Sequence, residues 1–126
     1  MITNSLIAGG LTTPTKVFTS SVTGEPVPPS SRQENAITTM ILCNTGAIDI
    51  TDESINAVTV NIYLVKDGHL PSTVNIIVSN LTIPAGETVF FSDERIILDG
   101  GDMVYIGAST ANLITVTVST LPVWNS

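Results

Sequence analysis

From Val74 to Leu121 the chain alternates apolar with Thr/Ser positions, and a turn signal interrupts it about every ten residues. It runs VNIIVSNLTI, PAGE, TVFFSDERIIL, DGGD, MVYIGAS and LITVTVSTL. A period of two sends successive side chains to opposite faces, so each run is a strand with one buried and one wet face. The intervening turns suit tight reversals: Pro84 presets φ, Gly86 tolerates positive φ, and Asp99 and Asp102 bond backbone amides around Gly100-Gly101. Antiparallel strands follow, and almost no room is left for an active site.

The rest of the chain extends this reading. Strands are expected at Lys16–Ser20, Ala36–Asn44 and Ala57–Val65. In the last of these Val58, Val60, Ile62 and Leu64 alternate with Thr59, Asn61 and Tyr63, and the first set is the expected core face. Thr23–Asn35 contains three prolines, and Pro28-Pro29 forces extended backbone without ladder donors, so this segment is expected to be a loop. Residues 1–13 read as an irregular arm or an edge strand, broken at Gly9-Gly10. Beyond Leu121, the tail carries Trp124, which either folds back under the sheet end or anchors in a neighbouring subunit. No helical stripe is present. The fold class expected is all-β, an antiparallel β-sandwich or barrel of roughly seven or eight strands, with jelly-roll and immunoglobulin-like orders both open.

A chain of 126 residues forms one domain. Within it residues 1–35 are the expected arm, short strand and Pro-rich loop, 36–121 the sandwich core, and 122–126 a tail. Apolar residues make up 43% and charged residues only 12%, which points to a Thr/Ser/Asn surface of the kind neighbouring subunits cover. Net charge is −7, and the four cations, Lys16, Arg32, Lys66 and Arg95, are scattered. Nucleic-acid binding needs clustered Lys/Arg, so neither nucleic acid nor an anionic membrane is an expected partner. The single cysteine, Cys43, excludes an intrachain disulfide and reads as a small buried hydrophobe. No apolar run reaches the length of a membrane span. The start MITNSLIAGGLTT lacks a basic n-region, so folding in the cytoplasm is expected.

Chemistry-bearing residues are sparse. The only imidazole, His69, lies on a Gly/Pro-containing turn, and no Gly-x-Ser-x-Gly elbow accompanies it, so no nucleophilic triad is expected. Paired carboxylates suit glycoside hydrolysis when they project into an aromatic-lined cleft, whereas here they sit in turns. Asp49, Asp52 and Glu53 share one loop and are weak candidates for a Ca²⁺ site, against the default of a solvated acidic tip. Asn80-Leu81-Thr82 has the form of a glycosylation sequon, and Phe90-Phe91 reads as a bulge or a core pair. No catalytic residue, cofactor or cofactor-binding residue is expected.

Residues 36–121 resemble a recurrent type of small bacteriophage virion protein. The similarity rests on Ile41-Leu42-Cys43-Asn44, Val58–Val65, the Ile83–Thr88 turn, Ile96–Tyr105 and the terminal strand Ile114–Ser119. The resemblance implies a non-enzymatic structural protein present in many copies, above all a capsid decoration or cement subunit. Alternatives are a neck, tail or fibre-attachment component, or a carbohydrate- or cell-surface-binding module. It implies assembly in a host cytoplasm and residence in the virion. The partners implied are further copies of itself, possible trimers included, and other virion proteins such as the major capsid protein. The segments outside the resemblance supply the expected interface residues: Leu6, Ile7, Pro28, Pro29 and Trp124.

Overall fold

The computed structural model describes residues 2–20, 33–92 and 96–124. Nine strands are formed: β1 (Ile2–Leu6), β2 (Thr15–Thr19), β3 (Gln33–Asn44), β4 (Val58–Val65), β5 (Ile76–Ile83), β6 (Thr88–Phe91), β7 (Ile96–Leu98), β8 (Met103–Ala108) and β9 (Ile114–Trp124). A 3-10 turn, Thr73–Asn75, precedes β5; the Ser72 hydroxyl caps it and the Asn75 side-chain oxygen accepts from the Ser72 N–H.

The strands assort into two antiparallel sheets, β1-β9-β3-β6 with β7 also on β3, and β2-β8-β4-β5. Rank for rank, β1 corresponds to β2, β9 to β8, β3 to β4, and β6 to β5. Consecutive strands therefore keep crossing from one sheet to the other, except β4–β5 and the two pieces β6 and β7, which stay within a sheet. That order defines a jelly roll and not an immunoglobulin-like sandwich. The strand number exceeds the expected seven or eight for two reasons. The N-terminal arm is a true edge strand, and β6 and β7 are two pieces laid along the same partner, β3.

A second difference lies at the C-terminus. The chain from 122 onward is not a free tail as far as Trp124: β9 pairs with β3 through Pro122↔Asn35 to Trp124↔Gln33. Proline is tolerated there because of strand phase. Ile7 N–H donates to Ile114 O at 2.9 Å, so even-numbered positions of β9 turn their backbone groups toward β1. The β1 ladder ends at Ile2↔Ser119, so the N–H that Pro122 lacks would face no strand.

The core between the sheets is aliphatic: Ile7, Leu42, Val58, Val60, Val104, Ile106 and Ile114 are fully buried. The expected face of β4 points inward, with Leu64 partly buried. The opposite face of β4 is also covered, because residues 9–11 of this chain lie across it. The Tyr63 hydroxyl donates to Leu11 O at 2.7 Å. A Cβ on Gly107 would stand 2.3 Å from Gly10 O, so only glycine lets that segment cross β8. Every buried side-chain N or O atom among the described residues has a hydrogen-bond partner.

Candidate functional site

The two sheets differ in what lies on their outer faces. Residues 9–11 lie over part of the β2-β8-β4-β5 sheet, at Gly107 and Tyr63, while Lys16 and Ile77 of the same sheet stay exposed. The β1-β9-β3-β6 sheet presents rows of side chains to the exterior. One row crosses the sheet as Asn4, Thr117, Ile41 and Phe90, and a parallel row as Leu6, Thr115, Cys43 and Thr88. Beyond the register shift in β3, Leu121, Ala36 and Ile97 form a further row. Phe90 is 63% exposed, Ile97 58%, Leu121 56%, Ile2 67% and Leu6 50%. No described side chain on this face is charged. In a protein of net charge −7, such a face is a surface on which apolar contact costs no charge desolvation.

Alternation explains Phe90-Phe91. The two pair in unbroken register with Ile41 and Met40, so there is no bulge; Phe91 packs on the core and Phe90 faces outward. Cys43 differs from its expected burial for the same reason. It alternates with fully buried Leu42, lies on the outer face between Thr88 and Thr115, and is half-buried.

The carboxylates of the acidic loop are spent on local turns. Asp49 accepts from the Thr51 hydroxyl at 2.5 Å and its N–H at 2.8 Å, and Asp52 does the same with Ser54 at 2.7 and 2.9 Å. These bonds, the side-chain ones first, hold both carboxyls below their ordinary value of 3.8. With Glu53, Glu87, Ile48 and Ile55 they border an open cleft of about 300 Å³ against the Pro84–Glu87 turn. Among the described residues no three or more His, Cys, Asp or Glu side chains converge as a metal site. His69 is exposed on its turn. Asp102 accepts from the Asp99 and Asp67 N–H groups at 3.1 Å each, the turn role its spacing suggests.

Of the expected interface residues, Leu6 is exposed on the outer face of the five-stranded sheet. Ile7 is not an interface residue: it is 0% exposed. It follows β1 in phase with the inward positions and is fixed by bonds to Ile114 O and from Asn112 N–H. Pro28 and Pro29, and the side chain of Trp124, lie outside the described residues. Sequence reasoning missed Phe90, Ile97 and Leu121 as surface residues. The signal was present: each occupies the wet phase of a strand where Thr or Ser is otherwise usual.

It also missed Asn44, which is wholly buried where β3 ends. Its Nδ2 donates to Asn56 O and Ile83 O, both at 2.8 Å, and its Oδ1 accepts from Gly46 N–H at 2.8 Å. Its backbone bonds Glu87 O and Gly86 N–H, each at 2.9 Å. Side chain and backbone of this one residue thus tie the acidic loop, the end of β5 and the Pro84–Glu87 turn together.

The topology defines a jelly-roll sandwich, with residues 9–11 laid over part of one sheet and an apolar-spotted outer face on the other. No protein-family model matches the chain, and no curated protein matches it.

Proposed function

We propose that this chain is a non-enzymatic structural subunit of a bacteriophage particle, present in many copies, that packs the outer face of its β1-β9-β3-β6 sheet against neighbouring virion proteins. The apolar-spotted outer face, with no charge among its described side chains, carries this reading, together with the resemblance of residues 36–121 to phage virion proteins. The role is mechanical. Burying Phe90, Ile97, Leu121 and the flanking Thr positions removes apolar area from water without stranding a charge. The acidic loop, at the end of the sandwich, keeps the free surface hydrated and anionic. Capsid decoration or cementing suits a broad flat face best, because such a face can bridge adjacent subunits of a lattice. A neck, tail or fibre-attachment position would use the same surface. A glycan-binding role has less support, since among the described residues Phe90 is the sole aromatic of the strongly exposed large hydrophobics.

The proposal is tested by quantitative mass spectrometry of purified particles from the phage whose genome encodes the chain. Recovery in many copies per particle is expected. Recovery from the infected-cell lysate but not from the particles would overturn the proposal.

A further inference from the structure

A jelly roll has two sheets and four edges, and three of these edges are visibly blunted. Strand β2 carries Lys16 at a register shift against β8. Strand β5 is broken by two register shifts against β4, with Asn80 in the left-handed region at φ 57°. The β6–β7 edge is interrupted, and the sequence between the two strands holds Asp93, Glu94 and Arg95. Charge, bulges and interruption are the devices by which sheets avoid pairing with another chain. Strand β1, ITNSL, has none of them: it contains no charge and no proline, and its ladder with β9 is in continuous register.

Among the described residues no strand pairs with the outer edge of β1, and its phase shows what that edge offers. Ile7 N–H bonds to Ile114 O, and Ile7 O accepts from Asn112 N–H, so the odd positions of β1 face β9. The N–H and C=O groups of Ile2, Asn4 and Leu6 consequently point away from the sheet. A strand with an odd set of outward positions is self-complementary about its middle residue. Antiparallel pairing of two β1 strands centred on Asn4 places Asn4 opposite Asn4 and Ile2 opposite Leu6, each facing pair exchanging two N–H···O=C bonds. The Asn4 Oδ1 already accepts from the Thr117 hydroxyl at 3.0 Å, which leaves its Nδ2 to donate across the axis.

We infer that β1 is a homodimerisation strand: a second copy of this chain pairs with it antiparallel about a two-fold axis at Asn4. The two five-stranded sheets become one, and their apolar-spotted outer faces join into a single surface. A second copy is the occupant favoured by the strand's own symmetry, since only an identical strand sets Asn4 against Asn4 and Ile2 against Leu6 at once. The net charge of −7 on each copy opposes the approach, and β1 adds no charged side chain to that repulsion. The interface is isologous, as two-fold contacts must be. This dimer goes beyond the virion reading and does not depend on which larger structure the joined face meets.

The test is sedimentation of the purified chain across concentration and salt. The expected mass is twice 13.2 kDa, with the dimer strengthened as salt screens the repulsion between copies. Asn4→Lys should weaken dimerisation roughly tenfold or more, because like charges then face each other across the axis. Asn4→Pro should do the same by removing an outward N–H that no intrachain bond uses. Ser79→Lys, on the β5 edge, should leave the dimer intact. Should a β1 variant fail to fold, hydrogen exchange on the unmodified chain decides. Protection of the Asn4 and Leu6 amides should rise with protein concentration. A wild-type monomer at all concentrations, a closed trimer, a dimer indifferent to Asn4→Lys in a folded variant, or unprotected Asn4 and Leu6 amides would each overturn the inference.

Discussion

The buried amide of Asn44 has its donor and acceptor satisfied by three chain segments, so its removal strands partners and not only itself. Asn44→Ala leaves Ile83 O and Gly46 N–H facing a void at the end of the core. A loss of about 3 kcal/mol of stability is expected in chemical denaturation, with the transition remaining cooperative. Nothing in the sequence marked this role: an Asn that ends a strand before Thr45-Gly46 reads as ordinary turn chemistry, and only the fold brings Asn56 and Ile83 to it. Asp49 and Asp52 are the opposite case, because their local spacing to Thr51 and Ser54 displays their partners directly. Both carboxyls are held below 3.8, chiefly by the side-chain hydroxyl bonds. A folded-state value below the unfolded one gives a contribution fully present above about pH 3.8 and lost as pH falls through the lowered folded value. NMR titration of the Thr51 and Ser54 amides should therefore show shifts only below that pH, while the core strands stay unchanged. Movement of these amides between pH 5 and 7 would contradict the assignment.

At the scale of elements, strand positions were legible because a period of two survives in β3, β4, β5, β8 and β9. Their ends were less so. Strand β9 runs past Pro122 because β1 has stopped beside it, which is a relation between two strands far apart in the chain. The cover over the second sheet was hidden for the same reason. Gly9-Gly10 looked like a flexible break, yet Gly9 O accepts from Ala108 N–H at 3.1 Å and Gly10 crosses above Gly107. Gly107→Ala tests that packing. The added methyl group would meet backbone, which cannot swing aside as a side chain can, so residues 9–13 must lift. A cost of about 1–3 kcal/mol is expected, with faster hydrogen exchange at the Ala108 amide. Unchanged melting and unchanged exchange would mean that the segment does not hold the sheet.

For the whole molecule, topology separates an inside from two unlike outsides. One sheet is crossed on its outside by residues 9–11 of the chain, and the other ends in Thr, Ser and exposed Phe90, Ile97 and Leu121. The sequence showed that the surface was poor in charge, but not that Phe90, Ile97 and Leu121 share the outer face of one sheet. That required knowing which strands are neighbours, and the jelly-roll order was one of two left open by the pattern. Surface substitutions on an open face should leave the fold untouched, so Phe90→Lys with Ile97→Lys is expected to melt within about 0.5 kcal/mol of the parent. The most direct measurement is incorporation of this double variant into particles, quantified beside the unmodified chain expressed at the same level. The account predicts a folded variant that is left out of the particle. A folded double variant incorporated as fully as the parent would contradict it.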